Sequence, residues 1–184
     1  MEQLERENPK TADAAHEKGK FLCSGTAGTG MKTECRIRTA MPADAKKIDA
    51  LFREMLRTIY HTDKADGYEA GYLDQYWDGG ENRIFVAEDD EVRAFLSVQA
   101  YREPEETYLY ADDFSVTAAY RGRGIGTRLM KAAEDYARET GIPAIVLHVE
   151  KNNGSAFRFY ERMGYSIFRD DGDRYLLCRE LAEN

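Results

Sequence analysis

The sequence predicts one domain of α/β type in the α+β sense, a mixed and mostly antiparallel central sheet of six to seven strands flanked by about four helices. Two observations carry this. Strand-like segments follow one another through the first half with tight turns such as Asp89-Asp90, whereas one long helix between two apolar strands in the second half needs a parallel crossover. Stop signals agree, since Gly141 and Pro143 end that helix and Asp171-Gly172 turn a final hairpin.

In order, residues 35–39 read as a strand and residues 42–60 as a helix with Pro42 in its first turn. A shorter helix is expected over residues 68–77, then strands over 83–88 and 92–101. Tyr108-Leu109-Tyr110 and Phe114-Ser115-Val116 look like a further strand. The long helix follows, with Ile125, Leu129, Ala132, Ala133 and Tyr136 at helical spacing. A buried-looking strand over 144–149, a helix over 154–163 and strands over 165–169 and 174–181 complete the chain. Residues 1–30 differ. Residues 1–20 are polar without an apolar stripe, and Ser24-Gly25-Thr26-Ala27-Gly28-Thr29-Gly30 is a flexible tract. They are expected to be a disordered or non-native extension, or a helix that docks elsewhere, ahead of a domain spanning 31–184; Met31 as the natural start is the alternative.

At 184 residues and 42% hydrophobic content the chain can bury a single core. No apolar run reaches membrane-spanning length, and the charged first residues lack a signal peptide's apolar centre, which implies a cytoplasmic protein and no membrane partner. Cys23, Cys35 and Cys178 show no C-x-x-C pairing, which argues against a disulfide framework and a zinc site. His16, His61 and His148 are scattered, so no metal is expected. His148 sits in an apolar strand and reads as a packed core histidine. The net charge of -8 and a pI near 5.0 disfavour nucleic acid and favour solubility and cationic substrates.

The segment Tyr120-Arg121-Gly122-Arg123-Gly124-Ile125-Gly126-Thr127 places three glycines between the fourth strand and the long helix. Glycines admit close backbone approach, and the freed N–H groups at a helix start, with the positive end of its dipole, suit a pyrophosphate. Such a loop also serves as a plain tight turn. A P-loop would need Lys before Thr127. The dinucleotide fingerprint would need glycine at Thr127, although Glu150 could imitate its ribose-binding acid.

A second motif follows the strand over 144–149. Asn152-Asn153-Gly154-Ser155-Ala156-Phe157-Arg158-Phe159-Tyr160 leads through Met163 to Gly164-Tyr165. Together the two segments resemble the GNAT-type N-acetyltransferases, whose pyrophosphate loop is matched by Arg121 through Gly126 and whose second motif is matched by Asn153, Ala156, Tyr160, Gly164 and Tyr165. The resemblance extends more loosely from about Cys35 to the C-terminus. It implies two parallel strands splayed around acyl-CoA, with main-chain groups near Phe114 and Val116 on the pantetheine arm. It further implies that Arg121, Gly122, Arg123, Gly124, Ile125, Gly126 and Thr127 hold the pyrophosphate, that Asn153 meets the coenzyme's backbone, and that Tyr160 is the general acid near its sulfur. Packing against the sheet, as Phe157 and Phe159 would do, is the other reading of Tyr160.

For the general base, Asp112 and Asp113 stand out, because a carboxylate in a strand rich in Tyr, Leu and Phe is costly unless it faces a wet cleft or a partner. Asp112 is preferred; Asp113 is equally placed, and a water chain could replace both. A regular strand puts Tyr110, Asp112 and Phe114 on one face, and a bulge would shift that parity. Pairing with Arg93, Arg102 or another buried cation is the structural alternative. On the acceptor side, Asp63, Asp66, Glu69 and Asp74 alternate with Tyr68, Tyr72, Tyr76 and Trp77, a mixture that suits an ammonium group, although acids on a helix are commonly just solvated. The expected activity is acetyl transfer from acetyl-CoA to a primary amine by direct attack in a ternary complex. A catalytically weak acyl-CoA-binding or sensing domain is the alternative, and a nucleotide-binding domain a remoter one. Monomer and homodimer are both open.

Overall fold

Seven strands pair into one sheet in the order β1-β2-β3-β4-β5-β7-β6. They are β1 (Arg36–Thr39), β2 (Arg83–Glu88), β3 (Val92–Arg102), β4 (Thr107–Val116), β5 (Ala144–Glu150), β6 (Ser166–Asp171) and β7 (Arg174–Glu180). The computed structural model describes residues 34–181; the extension expected over residues 1–30 lies outside them. β4 and β5 are parallel and every other neighbouring pair is antiparallel. The crossover between them is α2 (Ile125–Glu139), while α1 (Ala45–Tyr60) precedes β2 and α3 (Gly154–Arg162) follows β5.

Period-two burial sorts the strands onto two cores. On one face Leu96, Val98, Leu109, Ile145 and Leu147 pack with Leu129 and Met130 of α2 and with Tyr160 of α3. On the other Ile84, Val86 and Phe95 meet Ile48, Leu51 and Phe52 of α1 and Tyr76. Those three α1 residues recur at i, i+3 and i+4, which gives the helix one buried stripe.

Two expected helices change. Residues 42–44 form a 3₁₀ turn ahead of α1, anchored where Asp44 accepts the Met41 N–H at 2.8 Å and pairs with Arg38 at 2.7 Å. The expected helix over 68–77 shrinks to a 3₁₀ segment, Tyr72–Tyr76. Gly71 before it has φ of 82°, which ends any helix from the left-handed region, and the Tyr68 N–H goes to the Asp49 carboxylate at 2.8 Å rather than to a helical carbonyl. The described residues therefore hold three α-helices, not about four.

β4 carries a bulge. Leu96 pairs with Phe114 but Val98 pairs with Ala111, so Ser97 alone faces both Asp112 and Asp113. Ser97 is 1% exposed, and its Oγ accepts the Asp113 N–H at 2.9 Å. That bond satisfies a main-chain donor that the bulge takes out of the ladder. Ser97→Ala leaves it orphaned, so we expect a loss of about 1–3 kcal/mol in unfolding free energy, measured as a lower urea midpoint with unchanged slope.

Candidate active site

The only parallel pair in the sheet is also the shortest. β4 and β5 are in register at Leu109–Ile145 and Tyr110–Val146 and no further, after which β5 continues along β7 and β4 along β3. A wedge opens between residues 111–116 and residues 147–150. Its two faces differ because of the bulge: Phe114 and Val116 lie toward α2 and α3, while Asp112 and Asp113 lie toward α1 and the tyrosines.

At the α2 end of the wedge lies the glycine loop. Gly122 and Gly124 have φ of 71° and 74°, conformations that side chains rarely adopt. Gly126 serves another purpose: a Cβ there would come within 3.0 Å of the Phe114 ring and 3.5 Å of the Phe159 ring. The Arg121 N–H bonds to Ala118 and the Arg128 N–H to Gly124. Among the described residues no hydrogen bond reaches the six amides between, those of Gly122, Arg123, Gly124, Ile125, Gly126 and Thr127. Six such donors at a helix N-terminus are the groups an anion site requires. The arginines are tied from outside it: Arg121 Nε donates to the Val116 carbonyl at 2.8 Å, and Arg123 lies 4.6 Å from the centre of the Tyr120 ring. Tyr120 is held in turn by its hydroxyl on Asp89, at 2.5 Å.

Tyr160 projects from α3 into the same side, 8% exposed, edge-on to Phe159 and Tyr165. Burial pushes its phenol above the usual range, so it stays protonated, and its hydroxyl has no hydrogen-bond partner among the described residues. Asn153 caps α3 by accepting the Ala156 N–H at 3.1 Å, which leaves its exposed NH₂ group for other contacts.

On the opposite face both carboxylates meet phenols. Tyr72 donates to Asp112 at 3.1 Å and Gln99 Nε2 lies 3.3 Å from the same oxygen, while Tyr68 donates to Asp113 at 2.8 Å. Asp113 is 7% exposed. The expected guanidinium partners are engaged elsewhere, Arg93 with Asp89, Asp90 and Glu91, and Arg102 with Glu81. Burial first, then the nearby aspartates, push the Tyr68 and Tyr72 phenols upward, so both remain neutral donors. Tyr76 joins through Gln99, at 3.2 Å. Of the acid and aromatic mixture expected over 61–77, the tyrosines and Trp77 turn inward. Asp63, Asp66, Glu69 and Asp74 are exposed.

One participant is missing from the sequence reading. His148 belongs to neither apolar cluster; it is partly buried beside the wedge, with Nδ1 2.9 Å from the Tyr110 hydroxyl and Nε2 2.9 Å from Asp171. Arg169 holds Asp171 at 2.6 and 3.1 Å and, with His148, lowers its carboxyl to about 2. Burial pushes the imidazole below its ordinary value. A neutral ring satisfies both bonds when Nε2–H donates to Asp171 and Nδ1 accepts from Tyr110. The signal was the strand's period of two: Ile145, Leu147 and Val149 fill the α2 core, which leaves His148 on the other face.

Comparison with known proteins agrees with this geometry. Residues 49–165 match the family model described as the acetyltransferase (GNAT) family. The chain is 32% identical over 137 residues to the uncharacterized N-acetyltransferase YhfO of Bacillus subtilis, covering 70% of this chain and 88% of the relative. It is 33% identical over 163 residues to the streptothricin acetyltransferase of Streptomyces lavendulae, covering 76% and 85%. The fold resembles that of the PaiA N-acetyltransferase of Thermoplasma acidophilum in complex with coenzyme A, with TM-score 0.65, 17% identity and coverage of 79% and 98%. It also resembles Arabidopsis thaliana NAA60 in complex with a bisubstrate analogue, with TM-score 0.64, 21% identity and coverage of 82% and 99%. A glycine loop with unbonded amides, a sheet split at its parallel pair and the matching family model lead to one conclusion: this chain belongs to the GNAT acetyltransferase family.

Proposed function

We propose that the protein transfers an acetyl group from acetyl-CoA to a primary amine that arrives as a cation, by direct attack in a ternary complex. The observation that carries the reading is the run of six unbonded amides from Gly122 to Thr127 at the mouth of the wedge. Those donors suit a pyrophosphate, and the wedge leads from them to Tyr160 on one face and to Asp112, Asp113 and Tyr110 on the other. Bound there, acetyl-CoA supplies the acetyl group as a thioester. The main chain of Phe114 and Val116 flanks the arm, and the exposed NH₂ of Asn153 is free to meet it.

Charge and proton flow follow from the residues. Asp112 and Asp113 attract an ammonium, and the neighbouring tyrosine faces shelter it. The acceptor nitrogen gives up two protons, one to become a nucleophile and one to water after the N–C bond has formed; the C–S bond then breaks, and the group that protonates the sulfur regains its proton from solvent. His148 is poised to take a proton through the Tyr110 hydroxyl, with Asp171 stabilising the imidazolium. Asp112 is the alternative first acceptor. On the other face Tyr160, protonated and without an internal partner, donates to the departing sulfur. Relatives carry different names, a streptothricin acetyltransferase and a mycothiol acetyltransferase, so the acceptor is read from this chain's own cleft. A cytoplasmic location accompanies the proposal.

Gly124→Glu places a side chain and a like charge in the anion site, at a position whose φ of 74° disfavours any Cβ. CoA affinity by calorimetry should fall severely; unchanged affinity would remove the basis of the reading.

Tyr160→Phe should lower kcat by about a hundredfold while acetyl-CoA binding stays near wild type, because only a transferred proton is lost. His148→Gln should lower kcat to a similar extent. In the wild type kcat should fall with acidity only below pH 6.5, since the folded imidazole is depressed and protonation disables it as a base; this limb disappears in the variant. A limb that persists in His148→Gln assigns the base to Asp112.

A panel of spermidine, putrescine, lysine, a lysine-containing peptide, a neutral amino sugar and glutamate tests the acceptor. Cations should be turned over fastest, and rising salt should raise their KM more than that of acetyl-CoA. Preference for glutamate would refute the charge argument.

A further inference from the structure

Between α1 and the 3₁₀ turn at Tyr72–Tyr76, residues 62–71 form no regular structure, so contacts with α1 set their path. One approach is extreme. A Cβ on Gly67 would stand 2.0 Å from Asp49 Oδ1 and 2.5 Å from Arg53 Nη2. The strap thus lies directly on a carboxylate of α1, and only glycine fits beneath it. Asp49 Oδ1 accepts the Tyr68 N–H at 2.8 Å, and Oδ2 accepts Arg53 Nε at 2.8 Å. From that anchored amide the Tyr68 ring stacks on Phe52, with centroids 4.0 Å apart and planes at 13°, and its hydroxyl reaches Asp113. Tyr72 stacks on Tyr68 at 5.0 Å and 5° and donates to Asp112.

We infer that Asp49 is a positioning residue for acceptor specificity: by holding the Tyr68 N–H it fixes both strap tyrosines over the Asp112–Asp113 floor. The inference rests on the acceptor site proposed above. A merely structural Asp49 would be an i,i+4 ion pair with Arg53, and such a pair needs neither Gly67 nor the Tyr68 amide.

Asp49→Ala, Asp49→Asn and Gly67→Ala are compared with wild type, using the panel amine that wild type turns over fastest. Asp49→Ala should raise the amine KM about tenfold, the loss expected for one charge-assisted hydrogen bond, while the KM for acetyl-CoA is unchanged. Asp49→Asn keeps an oxygen for the Tyr68 N–H and loses the ion pair; it should restore the amine KM. Gly67→Ala should resemble Asp49→Ala, and the double variant should be less than additive because both act on one contact. Trypsin cleavage at Lys64, exposed on the strap, should be faster in Asp49→Ala at temperatures where the fold is intact. A wild-type amine KM in Asp49→Ala, a parallel rise for acetyl-CoA, or Asp49→Asn as impaired as Asp49→Ala would overturn the inference. Should no panel amine react, the proposed function fails, while cleavage at Lys64 still judges Asp49: faster cleavage supports its hold on the strap and unchanged cleavage refutes it.

Discussion

One extra residue in β4 decides what each side of the wedge presents. In a regular strand Asp113 would point at α2 and Phe114 at α1; the bulge opposite Ser97 instead turns both carboxylates toward α1 and returns Phe114 to the apolar side. A carboxylate among Leu129, Met130 and Phe159 would carry a large desolvation cost, so the parity shift is a condition for the core as well as for the cleft. The hydroxyl of Ser97 makes that shift tolerable by closing the one main-chain donor it exposes. Just before the bulge the same strand parts from β5, after Tyr110, and the wedge between them runs on toward the glycine loop. Strand pairing that stops early is therefore not a defect of the sheet. It creates the room for chemistry.

The loop shows why three glycines need not share one cause. Gly122 and Gly124 have open space where a Cβ would go, so what they supply is a left-handed backbone; Gly126 has an ordinary backbone and supplies the missing Cβ that Phe114 and Phe159 would strike. The first two turn the loop so that its amides stay unbonded, and the third lets α2 approach β4 closely enough for those amides to stand at the wedge. A buried ion pair holds the far side of α2. Glu134, raised above its usual range by burial, meets Arg179 of β7 at 2.6 Å, and Arg179 also donates to the Met163 carbonyl at 2.5 Å. That contact fixes the end of α3, and with it the base of the helix that carries Tyr160.

Much of this is local and was legible from residues alone. Apolar alternation predicts all seven strands within one or two positions, and the spacing of glycines and of Asn153, Ala156 and Tyr160 predicts the loop and the third helix. What the sequence does not show depends on distant partners. The strap fails to become a helix because Tyr68 gives its N–H to Asp49, nineteen positions away, and Gly71 turns left-handed. His148 hides among five apolar strand neighbours, and what sets it apart, the Tyr110 hydroxyl and the Asp171 carboxylate, comes from other strands. A bulge can be anticipated as something that would alter the parity of Tyr110, Asp112 and Phe114, yet its position comes from Ser97 on a neighbouring strand.

The choice of partner for the two aspartates has an electrostatic consequence. A guanidinium would satisfy a carboxylate and cancel its charge, whereas a phenol satisfies it with one hydrogen bond and brings no charge of its own. Burial strengthens this arrangement, since it raises the Tyr68 and Tyr72 phenols and keeps them from ionising beside the acids. The strap's phenols thus orient Asp112 and Asp113 through hydrogen bonds of 3.1 and 2.8 Å. The histidine across the wedge is built on the opposite plan, with Asp171 and Arg169 already paired behind a neutral ring. One side thus sets two carboxylates against neutral phenols, and the other sets an imidazole between a tyrosine hydroxyl and a carboxylate that already has a guanidinium.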